Sequence, residues 1–183
     1  MNVTWFLIRG SGIAAFVLLT ASVAWGLMVS TKLFGRAVKA KGLQWIHESL
    51  GIAAVVATVL HLGALWADEF IEFTVVDLLV PGASEWEPMA TALGIVAFWS
   101  LLVVTFSFYV KRWIGQSAWR TIHYLAFGSY TAALVHGVAA GTDTGNPWMA
   151  GMYIGSAILV GLLTVVRILL ARAPAARSAP TRA

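Results

Sequence analysis

The segment AWRTIHYLAFGSYTAALVHGVAAG, residues Ala118 to Gly141, decides the fold expected for this chain. It is apolar, and as a helix it is long enough to cross about 30 Å of hydrocarbon. One histidine lies near each end, His123 and His136. Ionisable residues are costly at membrane depth, and those found there usually serve a function. The segment therefore predicts a transmembrane helix that carries a functional pair of histidines.

A second apolar segment, GLQWIHESLGIAAVVATVLHLGALW from Gly42 to Trp66, holds the other two histidines, His47 and His61. The steps between the histidines rise about 21 Å in this segment and about 19.5 Å in the first one, at 1.5 Å per residue. Two facing imidazoles at each level would make two six-coordinate iron sites. We therefore expect two stacked bis-histidine b-type haems, with His47 and His123 on the inner iron and His61 and His136 on the outer one.

The composition places the chain in a membrane. Apolar side chains make up 60% of the 183 residues and charged ones 11%, whereas soluble domains carry about 25% charged residues. The absence of cysteine excludes disulfides and thiolate-bound haem or iron-sulfur clusters. We expect an all-α polytopic membrane helix bundle over residues 1–172, with the haems between its second and fourth helices, and a disordered cytoplasmic tail over 173–183. The five windows long enough to span are about Val3 to Ser30, Leu43 to Ala67, Pro88 to Val110, Ala118 to Ala140 and Pro147 to Leu170.

Charge predicts the orientation. With five crossings, eleven of the twelve basic residues fall on one side, and seven of the eight acidic residues fall on the other. The positive-inside rule puts the amino terminus outside and the carboxyl terminus in the cytoplasm. We expect an integral protein of a bacterial inner (plasma) membrane, with anionic lipid rather than nucleic acid as the partner of its basic residues. The apolar run FTVVDLLV, residues 73–80, is expected to lie along the outer interface.

The helical phase of the histidines predicts a distortion. A 14-residue step returns to within about 40° of one helix face, but the 13-residue step from His123 to His136 misses it by about 140°. Either the fourth helix is rewound or bent near Gly128, or its two histidines reach the haems from different flanks. Two alternatives stay open: the histidines could be bonded to backbone carbonyls or to Glu48, Ser129 and Thr131, or they could line a proton path.

Haem propionates need cationic or hydrogen-bonding partners. For the inner haem the candidates are Lys41, Arg112 and Arg120, which lie near the required level. For the outer haem the sole basic candidate is Arg9, two turns into the first span. Arg9 is expected either to contact a propionate or to reach the outer headgroups.

The histidine spacing, the WR that precedes it and the outer GTDTGNPW that follows it resemble the ferric reductase-like transmembrane domain. That family includes membrane ferric reductases, NADPH oxidases and the haem subunit of bacterial methionine sulfoxide reductase systems. The resemblance covers roughly Leu43 to Leu170. It implies bis-histidine b haems that carry electrons from a cytoplasmic donor to an acceptor on the outer side.

Two departures from the family qualify this expectation. Members usually have six helices, and the reductases and oxidases carry a flavin- and nicotinamide-binding module, whereas this sequence has five windows and no G-x-G-x-x-G fingerprint. We therefore expect an electron-transfer subunit whose donor is a separate cytoplasmic flavoprotein reductase or a membrane quinol. The alternative is a haem-free membrane anchor or a proton-conducting subunit of a larger complex.

Overall fold

The computed structural model describes residues 3–31 and 39–172, and all regular elements in these ranges are helices. They are α1 (Val3–Ser30), α2 (Ala40–Trp66), α3 (Val75–Leu79), α4 (Pro88–His123), α5 (Leu125–Ala140) and α6 (Pro147–Arg172). Proline occupies the first turn of α4 and begins α6, where its missing N–H costs no helical hydrogen bond. The all-α prediction is confirmed, and the predicted tail 173–183 lies outside the described residues.

Within residues 3–31 and 39–172, four helical segments are long and apolar enough to cross a membrane. Three correspond to the first, second and last predicted windows. The remaining segment, Pro88–Ala140, is 53 residues long and contains both the third and the fourth windows. At 1.5 Å per residue a straight helix of that length would reach about 80 Å, which is more than twice the hydrocarbon thickness.

This long segment is folded back on itself at Gly115. The backbone of Gly115 has φ 82° and ψ 162°, a conformation that is essentially restricted to glycine. Beyond it α5 packs antiparallel to the first part of α4, because Ser129 Oγ donates to the Ala97 carbonyl at 2.8 Å and His136 bonds the Ala90 carbonyl. The tight reversal at Gly115 therefore separates the third and fourth predicted windows.

The bend predicted near Gly128 is wrong. The irregularity lies at Tyr124, whose amide is shared between the Arg120 carbonyl at 3.3 Å and the Thr121 carbonyl at 3.2 Å, and whose own carbonyl accepts from the Phe127 amide at 3.1 Å. These three-residue bonds are of the 3₁₀ type, and a 3₁₀ turn rotates about 20° more per residue than an α-helix. Three residues of this type would recover about 60° of the roughly 140° mismatch, so the turn at Tyr124 reduces the difference in helical phase between His123 and His136 without removing it. At Gly128 a side chain would meet no neighbour, so no contact there forces the helix to deviate.

Helix α1 lies at the centre of the bundle. Its Phe16 ring packs on Tyr130 of α5 at 6.1 Å and on Tyr153 of α6 at 5.2 Å. On another side α1 packs along α2, and the Tyr109 hydroxyl of α4 donates to Glu48 Oε1 of α2 at 3.0 Å. Because α4 is antiparallel to both α2 and α5, those two helices run in the same direction.

The bundle has two chemically different ends. We call the end with His47 and His123 the basic end and the end with His61 and His136 the acidic end. The described basic residues other than Arg9 lie toward the basic end: Lys39, Lys41, Lys111, Arg112, Arg120, Arg167 and Arg172. The loops of the acidic end carry Asp68, Glu69, Glu72, Asp77, Glu85, Glu87 and Asp143.

The predicted run 73–80 contains the short helix α3 in the loop between α2 and α4. Thr74 and Asp77 form a capping box at its start, and hydrogen bonds from the Thr74 side chain and backbone lower the pKa of Asp77. Its last residue is tied to α4, because Trp99 Nε1 donates to the Leu79 carbonyl at 2.9 Å. Val75 and Val76 are exposed while Leu78 is buried. The helix therefore turns one face to the bundle and leaves an apolar face outward.

Candidate functional site

His61 and His136 line one cavity at the acidic end of the bundle. The cavity has a volume of about 750 Å³, and helices α1, α2, α4, α5 and α6 and the loop that holds α3 all contribute to its walls. Most of its lining is apolar, with residues such as Ile8, Phe16 and Phe98. Cofactor sites are typically apolar cavities of about 300–1,000 Å³ with a few convergent polar groups. The two imidazoles are such groups.

Each of these rings is held by a backbone carbonyl of the preceding helix. Nδ1 of His61 is 2.9 Å from the Ile8 carbonyl oxygen, and Nδ1 of His136 is 2.8 Å from that of Ala90. A carbonyl can only accept, so the bond assigns the hydrogen to Nδ1 and leaves a lone pair on Nε2. This is the tautomer in which a histidine binds a metal through Nε2.

His47 and His123 form the second pair, at the basic end. Their ring centroids are 5.9 Å apart and their planes meet at 74°. Imidazole nitrogens bind metals at about 2.0–2.1 Å, so two axial rings on one metal place their centroids about 6 Å apart once the ring half-widths are added. The structure therefore brings together both pairs that the sequence predicts.

The ring nitrogens of the basic-end pair are less well satisfied. Nδ1 of His47 and Nδ1 of His123 are buried without a hydrogen-bond partner among the described residues. The Ser22 carbonyl of α1 faces His47, but no bond of normal geometry forms. Buried polar atoms without partners are uncommon. Both Nδ1 atoms could therefore gain a hydrogen bond from a bound ligand or after a small movement of the rings.

The polar side chains that could have satisfied the histidines are used elsewhere. Glu48 accepts from Tyr109, Ser129 donates to the Ala97 carbonyl, and Thr131 is exposed. No group of three or more histidine, cysteine or acidic side chains suited to a metal occurs in the described ranges. Each level offers two imidazoles, so a metal there would take its other ligands from a cofactor.

The predicted cationic partners at the basic end, Lys41, Arg112 and Arg120, are all exposed. The Arg112 guanidinium stacks on Trp113 at 4.2 Å. Sequence reasoning missed Lys111, whose ammonium lies 4.1 Å from the Trp119 ring. Trp119 in turn stacks on His123 at 5.0 Å. Nothing in the sequence distinguishes Lys111 from Arg112, because the choice depends on which of two adjacent residues faces inward.

Arg9 lies at the mouth of the acidic-end cavity. It pairs with Asp143, donates to Thr142 Oγ1 at 3.1 Å and stacks on the Trp5 ring at 3.8 Å. The ion pair joins α1 to the loop between α5 and α6. Arg9 therefore lies where a ligand in the cavity would contact it. Asp143 is a second charged residue at the mouth of the cavity, and the sequence analysis did not predict its role.

Comparisons of the chain with protein-family models, with curated proteins and with solved structures found no match.

Proposed function

We propose that this chain is a membrane b-type cytochrome that holds two bis-histidine haems between α2 and α5 and transfers electrons across the membrane. The observation that carries the proposal is the pairing of all four histidines by level. His61 and His136 share a cavity, and His47 and His123 lie 5.9 Å apart. Histidines are rare and costly at membrane depth, so two pairs of them at two levels support a shared functional role.

In this proposal the chain crosses the membrane five times, with Pro88–Ala140 providing two crossings through the reversal at Gly115. The basic end faces the cytoplasm and the acidic end faces outward, as the positive-inside rule requires. The amino terminus is then outside. His47 and His123 belong to the inner haem, and His61 and His136 to the outer one.

The residues of the chain have defined tasks. The four paired histidines would hold the two haem irons, and the carbonyls of Ile8 and Ala90 keep Nε2 of His61 and His136 free for this task by bonding Nδ1. The apolar walls exclude water and lower the local dielectric, which tunes the reduction potential. The haem, when bound, supplies a one-electron ferric-ferrous couple. Because two histidines would bind each iron, an external acceptor would be expected to approach the protein surface near His61 and His136 and not to bind the iron itself.

The donor in this proposal is a separate flavoprotein reductase on the cytoplasmic side or a membrane quinol, and the acceptor lies on the outer side. We include the chain in the ferric reductase-like transmembrane group on the strength of its histidine spacing. The two-level pairing of parallel helices supports that assignment. Hydrogen bonds from His61 and His136 to backbone carbonyls are also what the haem-free alternative expects, so the cytochrome proposal is supported by the cavity that the two rings share.

The test is a dithionite-reduced minus oxidised spectrum of the purified protein together with its haem-to-protein ratio. We expect b-type bands and a ratio of about two, one haem for each histidine pair. Protein that is folded and produced with sufficient haem but shows no Soret band would refute the proposal and favour the haem-free anchor. A ratio of one would refute the two-level model.

A further inference from the structure

Three of the four histidine rings pack directly on a glycine of the preceding helix. A Cβ built on Gly12 would lie 3.1 Å from the His61 ring, one on Gly26 would lie 2.9 Å from the His47 ring, and one on Gly94 would lie 2.8 Å from the His136 ring. These distances are at or below the limit of ordinary contact. No side chain larger than glycine fits at these positions unless the imidazole moves.

The placement of Gly12 and Gly26 matches that of the histidines. They are 14 residues apart on α1, as His47 and His61 are on α2. The two helices are antiparallel, so a single alignment of α1 on α2 places Gly12 opposite His61 and Gly26 opposite His47. α4 and α5 repeat the arrangement with Gly94 and His136.

A glycine also explains why a helical carbonyl can bind the ring. A helical side chain covers the turn that precedes its own Cα, so the absence of one uncovers the carbonyl four residues earlier. That carbonyl already accepts within the helix but keeps a second lone pair. Ile8 and Ala90, whose carbonyls bond His61 and His136, stand four residues before Gly12 and Gly94. Ser22, which faces His47, stands four residues before Gly26.

We propose that Gly12, Gly26 and Gly94 are positioning residues for the haem ligands, each forming a notch that sets the orientation of one axial imidazole. The proposal rests on the cytochrome function proposed above. Each notch fixes the ring by contact on one side. At His61 and His136 a carbonyl bond to Nδ1 adds to this contact, and Nδ1 is the ring nitrogen nearer to the glycine, whereas both nitrogens of His47 lie about equally close to Gly26. His123 has no glycine of this kind within the described contacts and is instead stacked on Trp119.

The atoms nearest to each added Cβ belong to the far end of a histidine side chain. An added methyl group is therefore relieved by displacement of the ring rather than of the helices. We expect Gly94→Ala to lose the acidic-end haem or to alter its axial geometry, while the basic-end haem is retained. Gly12→Ala should affect that same haem more mildly, because its ring must give by only a few tenths of an ångström. Gly26→Ala should affect the basic-end haem alone.

The measurement is electron paramagnetic resonance of the oxidised low-spin haems, whose g values depend on the relative orientation of the axial rings, together with the haem-to-protein ratio. Gly10→Ala is the matched control for the two notch glycines of α1. Gly128→Ala is a control on α5, the helix that carries His136, and a side chain at either control position would meet no neighbour. Both controls should keep the parental g values and ratio.

The outcomes separate the two proposals. A parent protein without haem would overturn both before any variant is made. If the parent binds two haems and all three notch variants keep its g values and ratio, the positioning inference is wrong and the cytochrome proposal stands. Equal changes in Gly10→Ala and Gly12→Ala would also overturn it, since they would reflect the helix rather than the notch. Should Gly94→Ala fail to accumulate, Gly12→Ala tests the same haem.

Discussion

Arg9 carries a positive charge to the mouth of the acidic-end cavity, where Asp143 partly neutralises it. The pair is only partly exposed, with 22% of the Arg9 side chain and 38% of the Asp143 side chain accessible. Charges at such sites are screened less than fully exposed ones. Reduction adds an electron to a haem, so a nearby cation favours the ferrous state and a nearby anion favours the ferric state.

Arg9→Gln and Asp143→Asn are therefore expected to shift the outer-haem potential in opposite directions. Loss of the cation should lower the potential, and loss of the anion should raise it. Redox titration followed in the visible spectrum measures both, with the inner haem as an internal control. Shifts of the same sign, or none with both haems retained, would mean that the pair only ties α1 to the loop between α5 and α6.

Lys111 provides a second prediction at this scale. Its ammonium lies over Trp119, which stacks on His123, whereas the neighbouring Arg112 stacks on Trp113. Lys111→Gln should lower the potential of the proposed inner haem, because it removes a cation that lies over the ring stacked on His123. The matched variant Arg112→Gln should shift it less. The same redox titration tests this. A larger shift for Arg112→Gln than for Lys111→Gln would contradict the prediction and show that the charge that acts on the haem is that of Arg112.

At the scale of elements, the reversal between α4 and α5 depends on Gly115. Its φ of 82° and ψ of 162° cost other residues about 1–3 kcal/mol. Gly115→Ala should lower the free energy of unfolding by that amount, measured as a lower thermal midpoint in detergent. Gly128→Ala is the control, because that position is helical and open, and alanine there should be neutral or slightly stabilising. Equal midpoints for the two variants would contradict a strained reversal at Gly115.

The sequence predicts the helices well for a physical reason. A bilayer demands about 20 apolar residues per crossing, and that requirement is visible in hydropathy alone. The parallel course of α2 and α5 follows from counting alternate crossings. The details that depend on packing could not be predicted. The helix is irregular at Tyr124 and not at the predicted Gly128. The position depends on which backbone hydrogen bonds form, and hydropathy does not report that. The notches at Gly12 and Gly26 emerge only once the register of α1 on α2 is known.

At the scale of the whole molecule, charge separates the two ends of the bundle. The absence of cysteine makes single-cysteine labelling unambiguous. Glu85→Cys lies in a loop of the acidic end and Gln116→Cys beside the reversal at the basic end, and both positions are exposed. In intact cells a membrane-impermeant thiol reagent should label the first and spare the second. The reverse pattern would exchange the inner and outer haem assignments.

In the proposed cytochrome the two haems lie at two levels, each bridging α2 and α5. The most direct test is the haem content and spectrum of the four histidine-to-alanine variants. His61→Ala and His136→Ala should share one phenotype, with the acidic-end haem lost or five-coordinate and the other haem intact. His47→Ala and His123→Ala should share the opposite phenotype. If His47→Ala instead resembled His61→Ala, and His123→Ala resembled His136→Ala, each haem would belong to one helix and the two-level account would be wrong.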